Sequence, residues 1–232
     1  MTTSGEFEAY VRGRFGALSA GKHAPDEGAA CVLEAVSAWL GLEWTDDPDT
    51  LGLPDIRPLN DASWSSAEAR TGAMTRLIAA IWDFREWPRA RRAHMARRVA
   101  LRTAREVLPF LLRALGHADL AEGLARARTL GAAMSAREVS TTLREIYRPY
   151  TSAATPEATN AIDAAYVTFA SVRSAFDPHQ SRKALTNAAR AAEYAASSIS
   201  AARGVAATAQ ASADALLRAA VDIWIEEAQT EP

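Results

Sequence analysis

The stretch ALTNAARAAEYAASSISAARGVAATAQASADALLRAA, residues 184–220, decides the fold class. Seventeen of its thirty-seven residues are alanine, with larger anchors at Leu185, Tyr194, Ile199, Val205, Leu216 and Leu217. Alanine has the best helix propensity, because it loses no side-chain entropy and buries no polar group. Small side chains also let two helices approach closely. The stretch therefore predicts long helix, either one helix weakened at Gly204 or two antiparallel helices divided there.

Working outward, the rest of the chain keeps a helical period. Thr155-Pro156 is a good cap and first-turn pair, followed by a stripe of Ile162, Tyr166, Phe169 and Phe176. Shorter helices are expected over 118–130 and 136–147, the second opened by the capping box Ser135-x-x-Glu138. A long helix should run from Trp87-Pro88 to about Leu115, with a kink at Pro109, which removes a backbone donor. Ser65-x-x-Glu68 reads as another capping box, before a stripe of Met74, Leu77, Ile78 and Ile81. Phe7, Tyr10, Val11 and Phe15 share one face of a first helix. A second helix, opened at Asp26 or Glu27 and closed by Gly41, would carry Cys31, Val32, Leu33, Val36, Trp39 and Leu40. Residues 42–64 read as a long irregular segment with three prolines and five aspartates, and long loops in compact domains are often functional. No alternating strand pattern and no Asn-Gly or Asp-Gly hairpin signal occurs. The expectation is an all-α, irregular bundle of roughly seven to nine helices. It forms a single domain over 1–232, with a sub-boundary near 149–155.

Composition narrows the function classes. The 232 residues carry a formal net charge of −2, with 49% apolar and 23% charged residues. No global field draws such a chain to nucleic acid or anionic lipid. No run of about 18 apolar residues is present, so no membrane span is expected. The N-terminus lacks the basic start and apolar core of a signal peptide, and one cysteine makes no internal disulfide. Together these point to a cytoplasmic protein.

The candidate chemistry gathers near the N-terminus: His23-x7-Cys31-x2-Glu34, then Thr45-Asp46-x-Pro48, then Asn60-Asp61. Cys31 and Glu34 are neighbours on a helix, and His23 can fold back over them. Imidazole, thiolate and carboxylate all bind zinc. Zinc or another divalent metal could therefore sit on His23, Cys31 and Glu34, with Asp46, Asp61 or water as fourth ligand. A covalent reading makes Cys31 the nucleophile, His23 its base and Asp61 the orienter. Against both stands the common fate of a lone cysteine among Ala29, Ala30, Val32 and Leu33, a small buried hydrophobe. Neither Cys-x-x-Cys nor His-Glu-x-x-His is present.

The run GKHAPDEGAACVLEAVSAWLGLEWTDDPD resembles the N-terminal block of a family of uncharacterised small helical proteins from actinobacteria and their phages. The resemblance rests on His23, Cys31, Glu34, Ala35, Thr45, Asp46, Pro48, Asn60 and Asp61. Gly28 stands one place early, and Ala30 and Leu33 replace that family's methionines. The resemblance implies a helical protein with a fixed N-terminal cluster. It implies no reaction.

A second feature is the arginine-rich helix. Eight arginines lie between Arg85 and Arg105. At about 100° per residue, Arg91, Arg98, Arg102 and Arg105 form one stripe and Arg85, Arg89 and Arg92 a second row. Trp87 lies at its start. The stripe suits phosphate, hence nucleic acid or a nucleotide. It equally suits an acidic protein partner, or pairing within the chain to Asp46–Asp49 or to Glu226-Glu227. Trp44, Trp64 and Trp87 near loops are either partner anchors or core cover. The chain has no phosphate loop, no nucleophile elbow and no EF-hand. The leading expectation is a helical protein that works through binding to a protein partner or to itself. A metal-dependent hydrolase on His23, Cys31 and Glu34 and a nucleic-acid-associated protein follow.

Overall fold

The computed structural model describes residues 4–126, 128, 129, 131, 141, 142, 144, 145, 155–202 and 207–230, and every regular element among them is helical. Helix α1 (Ser4–Phe15) buries Phe7 and Val11, and Gly16, at φ 73°, closes it. Helix α2 (Val32–Trp39) starts later than the sequence suggests. Asp26 and Glu27 lie in a turn, and Cys31 is the N-cap. The segment expected to be irregular holds two single-turn helices, α3 (Pro48–Leu51) and α4 (Arg57–Asp61), each with proline in its first turn. Proline is tolerated there because its missing N–H has no helical partner anyway. These two were not among the helices expected.

Helix α5 (Ala67–Ile81) is capped by Ser66, whose side chain accepts from the Ala69 amide at 3.0 Å, one residue later than the proposed box. Ser65 instead bonds Asp214, and Glu68 pairs with Arg12 at 2.7 Å. Helix α6 (Arg89–Arg102) passes through a π turn at Thr103–Val107 into α7 (Leu108–Ala114). The irregularity expected at Pro109 is this π turn. Pro109 cannot donate to the Arg105 carbonyl, so the ladder widens in the turn before it. Helix α8 (Ala118–Ala125) follows. The capping box at Ser135, Gly204 and all of the expected sub-boundary near 149–155 except residue 155 lie outside the described residues; of the helix expected over 136–147, residues 141, 142, 144 and 145 are described and are helical.

Helix α9 (Pro156–Ala175) has Thr155 as its N-cap, as the sequence indicates. Its buried face, however, is not the aromatic stripe. Tyr166 and Phe176 are over half exposed, whereas Ala158, Ala161, Ala164, Ala165, Thr168, Ser171, Val172 and Ala175 are buried. Small residues face inward because α9 pairs most extensively with the alanine-rich α10 (Ser181–Ala202). Ser171 Oγ donates to the Ala184 carbonyl at 2.7 Å and Ser198 Oγ to that of Glu157 at 2.8 Å. Hydroxyls reach a neighbouring backbone only when no large side chain intervenes. Helix α11 (Ala207–Gln229) packs on α10, α5 and α6.

One contiguous apolar cluster runs from Phe7 to Ala228, through Leu33, Ile56, Leu59, Met74, Leu77 and Trp224. Trp64 and Trp87 are buried within it, so they cover the core rather than present a partner surface. Trp39 and Trp82 pack at its edge against Phe7. Among the described residues no helix is long and apolar enough to cross a membrane.

Candidate functional site

The chain between α1 and α2 has no regular backbone ladder, so side chains must satisfy its polar groups. Glu34 does most of this. It is fully buried in the first turn of α2. Its Oε1 accepts from the His23 amide at 2.7 Å. Its Oε2 accepts from the Cys31 amide at 2.7 Å and lies 3.0 Å from His23 Nδ1. The bond to Cys31 is half of a capping box, with the Cys31 side chain turned to the Glu34 amide. Cysteine is not a usual N-cap, which is why the sequence misplaces the helix start.

Cys31 therefore sits at the very end of α2 rather than within its second turn. Burial pushes its thiol up to about 12, and the Glu34 charge acts in the same direction, against the amides of the helix end. A thiol held neutral in this way is a poor nucleophile at neutral pH. His23, Cys31 and Glu34 are brought together, but both Glu34 oxygens serve the backbone. Among the described residues, no three His, Cys, Asp or Glu side chains gather as a metal ion needs.

The other residues of the block extend the clasp. Asn60, fully buried, accepts from the Val32 amide at 3.2 Å and donates to the Ser19 carbonyl at 2.9 Å and to Asp61 at 2.7 Å. Asp61 also accepts from the Gly21 amide at 2.8 Å. Trp44 Nε1 donates to the His23 carbonyl, and Ser37 Oγ accepts from the Thr45 amide. Asp47 caps α3, and bonds from Thr50 and the Asp49 amide hold its carboxyl below the usual range.

Above the clasp lies a cavity of about 340 Å³, lined by Cys31, Asp46, Asp55, Arg57, Asp61, Arg190 and Glu193, with Lys22 at its edge. Asp46 is 3.3 Å from Lys22 and 3.6 Å from Arg57, and Arg57 is fixed by Asp55 at 2.9 Å. Arg190 and Glu193 reach the cavity from α10. Neither side chain forms a hydrogen bond or close ion pair among the described residues. Burial, then the charge of Asp61, pushes the Glu193 carboxyl upward, and Arg190 opposes them. Sequence reasoning missed both residues. The available signal was a charged pair, Arg190-x-x-Glu193, inside an otherwise alanine-rich face.

The arginine stripe is largely spoken for. Arg98 bonds Glu227 at 3.0 Å, and Arg102 bonds Glu106 at 2.7 Å and Glu227 at 3.3 Å. Glu227 is buried, so these pairs close α6 onto α11. Arg91 donates to the Ala228 carbonyl at 2.9 Å and stacks 4.0 Å above the Trp87 ring. Arg105 is half-buried, its Nε without a partner. Of the two acidic candidates, Glu226-Glu227 takes the stripe, and the Asp46–Asp49 loop does not.

No family model, curated protein or solved structure matches this chain.

Proposed function

We propose that this chain is a non-enzymatic binding protein, and that its ligand is a small molecule bearing both charges, of the amino-acid or short-peptide class. The observation that carries the reading is Arg190 and Glu193, whose side chains form no hydrogen bond or close ion pair at a cavity where Lys22, Asp46, Asp55 and Arg57 are already paired. A ligand carboxylate suits the Arg190 guanidinium fork. A ligand ammonium suits Glu193 and Asp61. The volume is at the small end of ligand pockets, which span about 300–1,000 Å³. The clasp beneath supplies a rigid floor, because its polar groups are buried and paired.

The hydrolase reading has less support, since Glu34 is engaged with backbone amides and Cys31 is held as a neutral thiol. A nucleic-acid role for Arg91, Arg98 and Arg102 has less support because those guanidiniums are engaged inside the molecule.

The test is calorimetric and thermal titration of the full chain with the free amino acids and a dipeptide panel. A true ligand at a hundred times its Kd raises stability by about 2.7 kcal/mol, and Arg190→Ala and Glu193→Ala each lose that gain. No stabilisation by any member of the panel sinks the reading.

A further inference from the structure

A second charged cavity lies elsewhere, where the amino end of α6 meets the turn Pro178–Gln180 and the start of α10. It encloses about 210 Å³ and is lined by Arg89, Arg92, Pro178, His179, Ser181 and Arg182. It shares no lining residue with the cavity above the clasp. We propose that it binds a phosphate-class anion, either a small phosphorylated molecule or a backbone phosphate of nucleic acid.

The first reason is charge. Three guanidiniums and an imidazole converge, and no carboxylate lines the cavity. The adjoining acids are engaged. Asp49 pairs with Arg182. Asp177 accepts from the His179 amide at 2.9 Å and from the Gln180 side chain at 3.1 Å. The side chains of Arg89 and Arg92 form no hydrogen bond or ion pair among the described residues. They differ in this from Arg91, Arg98 and Arg102 on the same helix, which are bonded within the molecule. Like charges held in a concavity repel one another and concentrate an anion there.

The second reason is shape. Guanidinium forks match phosphate oxygens two at a time. Asp49 pairs with Arg182, and the Asp177 carboxylate lies within the field of Arg89, so three guanidiniums outnumber two carboxylates around the cavity and its net charge stays positive toward a phosphate anion. The first turn of the 22-residue α10 holds no acidic residue, so its end adds to the positive field. A cavity below the about 300 Å³ of ordinary ligand pockets suits a phosphate group with the rest of its molecule outside.

The experiment titrates inorganic phosphate and pyrophosphate into the full chain by calorimetry, against sodium chloride of equal ionic strength. Wild type is compared with Arg89→Gln/Arg92→Gln, with Arg89→Gln alone, and with Arg218→Gln as an exposed arginine elsewhere. Saturable binding is expected in wild type and Arg218→Gln, with affinity falling on the order of tenfold or more in the double variant. Arg89 is exposed, so the single variant folds and still reads the site if the double one does not. A short DNA duplex forms the second arm. Duplex binding that pyrophosphate displaces and the variants lose places the phosphate on nucleic acid. Phosphate binding without duplex binding places it on a small molecule. No saturable binding beyond chloride, or equal binding in wild type and both pocket variants, overturns the proposal.

Discussion

The N-terminal clasp and the alanine-rich helices bury backbone by opposite means. Between Gly16 and Trp64 the chain is mostly irregular, and buried polar side chains satisfy it: Glu34 takes two amides, and Asn60 takes one and gives to one carbonyl. In α9 and α10 the backbone satisfies itself, and alanine lets the two helices close until serine hydroxyls reach across. The first solution depends on a few irreplaceable groups, because a buried donor left unpaired costs its full desolvation. The second spreads its energy over many small contacts, each weak. Rigid, polar and concave surfaces come from the first kind, and the cavity sits where the two meet.

The sharpest way to break this contrast is Glu34→Ala. It strands the buried Cys31 amide, the half-buried His23 amide and the His23 ring, so a loss of about 3–5 kcal/mol in urea unfolding is expected. A loss under about 1 kcal/mol would mean that the clasp is not what holds the loop. On the other side, Ala165→Leu adds volume to a fully buried position of α9 and should cost about 1–3 kcal/mol. A neutral result would show that the helices are not closely packed. The Arg98–Glu227 pair joins α6 to α11 with the arginine half exposed. A double-mutant cycle should give a coupling of about 1 kcal/mol or less, decreasing in salt.

The smallest effect is expected at Cys31. Cys31→Ser puts a good capping hydroxyl at the same place and should change stability at neutral pH by less than about 1 kcal/mol. The two proteins should separate as pH rises. The folded chain keeps a thiol proton that the unfolded chain releases near pH 8.5. Deprotonation therefore favours the unfolded state. Wild type should lose stability relative to the variant from that range up to about 12, read as a widening gap in urea midpoints. A constant gap would show that the thiol titrates normally.

Much of the fold was legible. Helical period, the Thr155-Pro156 cap and the alanine content follow from local preferences that tertiary contacts did not overturn. Less legible was which face of a helix turns inward. Of the stripe Ile162, Tyr166, Phe169 and Phe176, only Ile162 and Phe169 pack against the core, and Tyr166 and Phe176 are exposed, because α9 buries its alanines against an equally alanine-rich neighbour. At the clasp, His23, Cys31, Glu34, Asn60 and Asp61 do come together, and the same donor set reads as a metal site or as a backbone clasp. Residue types alone leave that choice open, since it turns on where each oxygen points.

The class of backbone and the grouping of polar residues around α2 follow from the sequence, since both are short-range properties of neighbouring side chains. Packing of distant segments settled three further matters. It set Glu34 against amides, brought Arg190 and Glu193 from a helix more than a hundred residues away to face Asp61, and sorted the arginines of α6 into paired and free. Each depends on which groups distant in the chain share a volume from which water is excluded. Burial and pairing in that volume set the charge, the hydrogen bonds and the reactivity of every group within it.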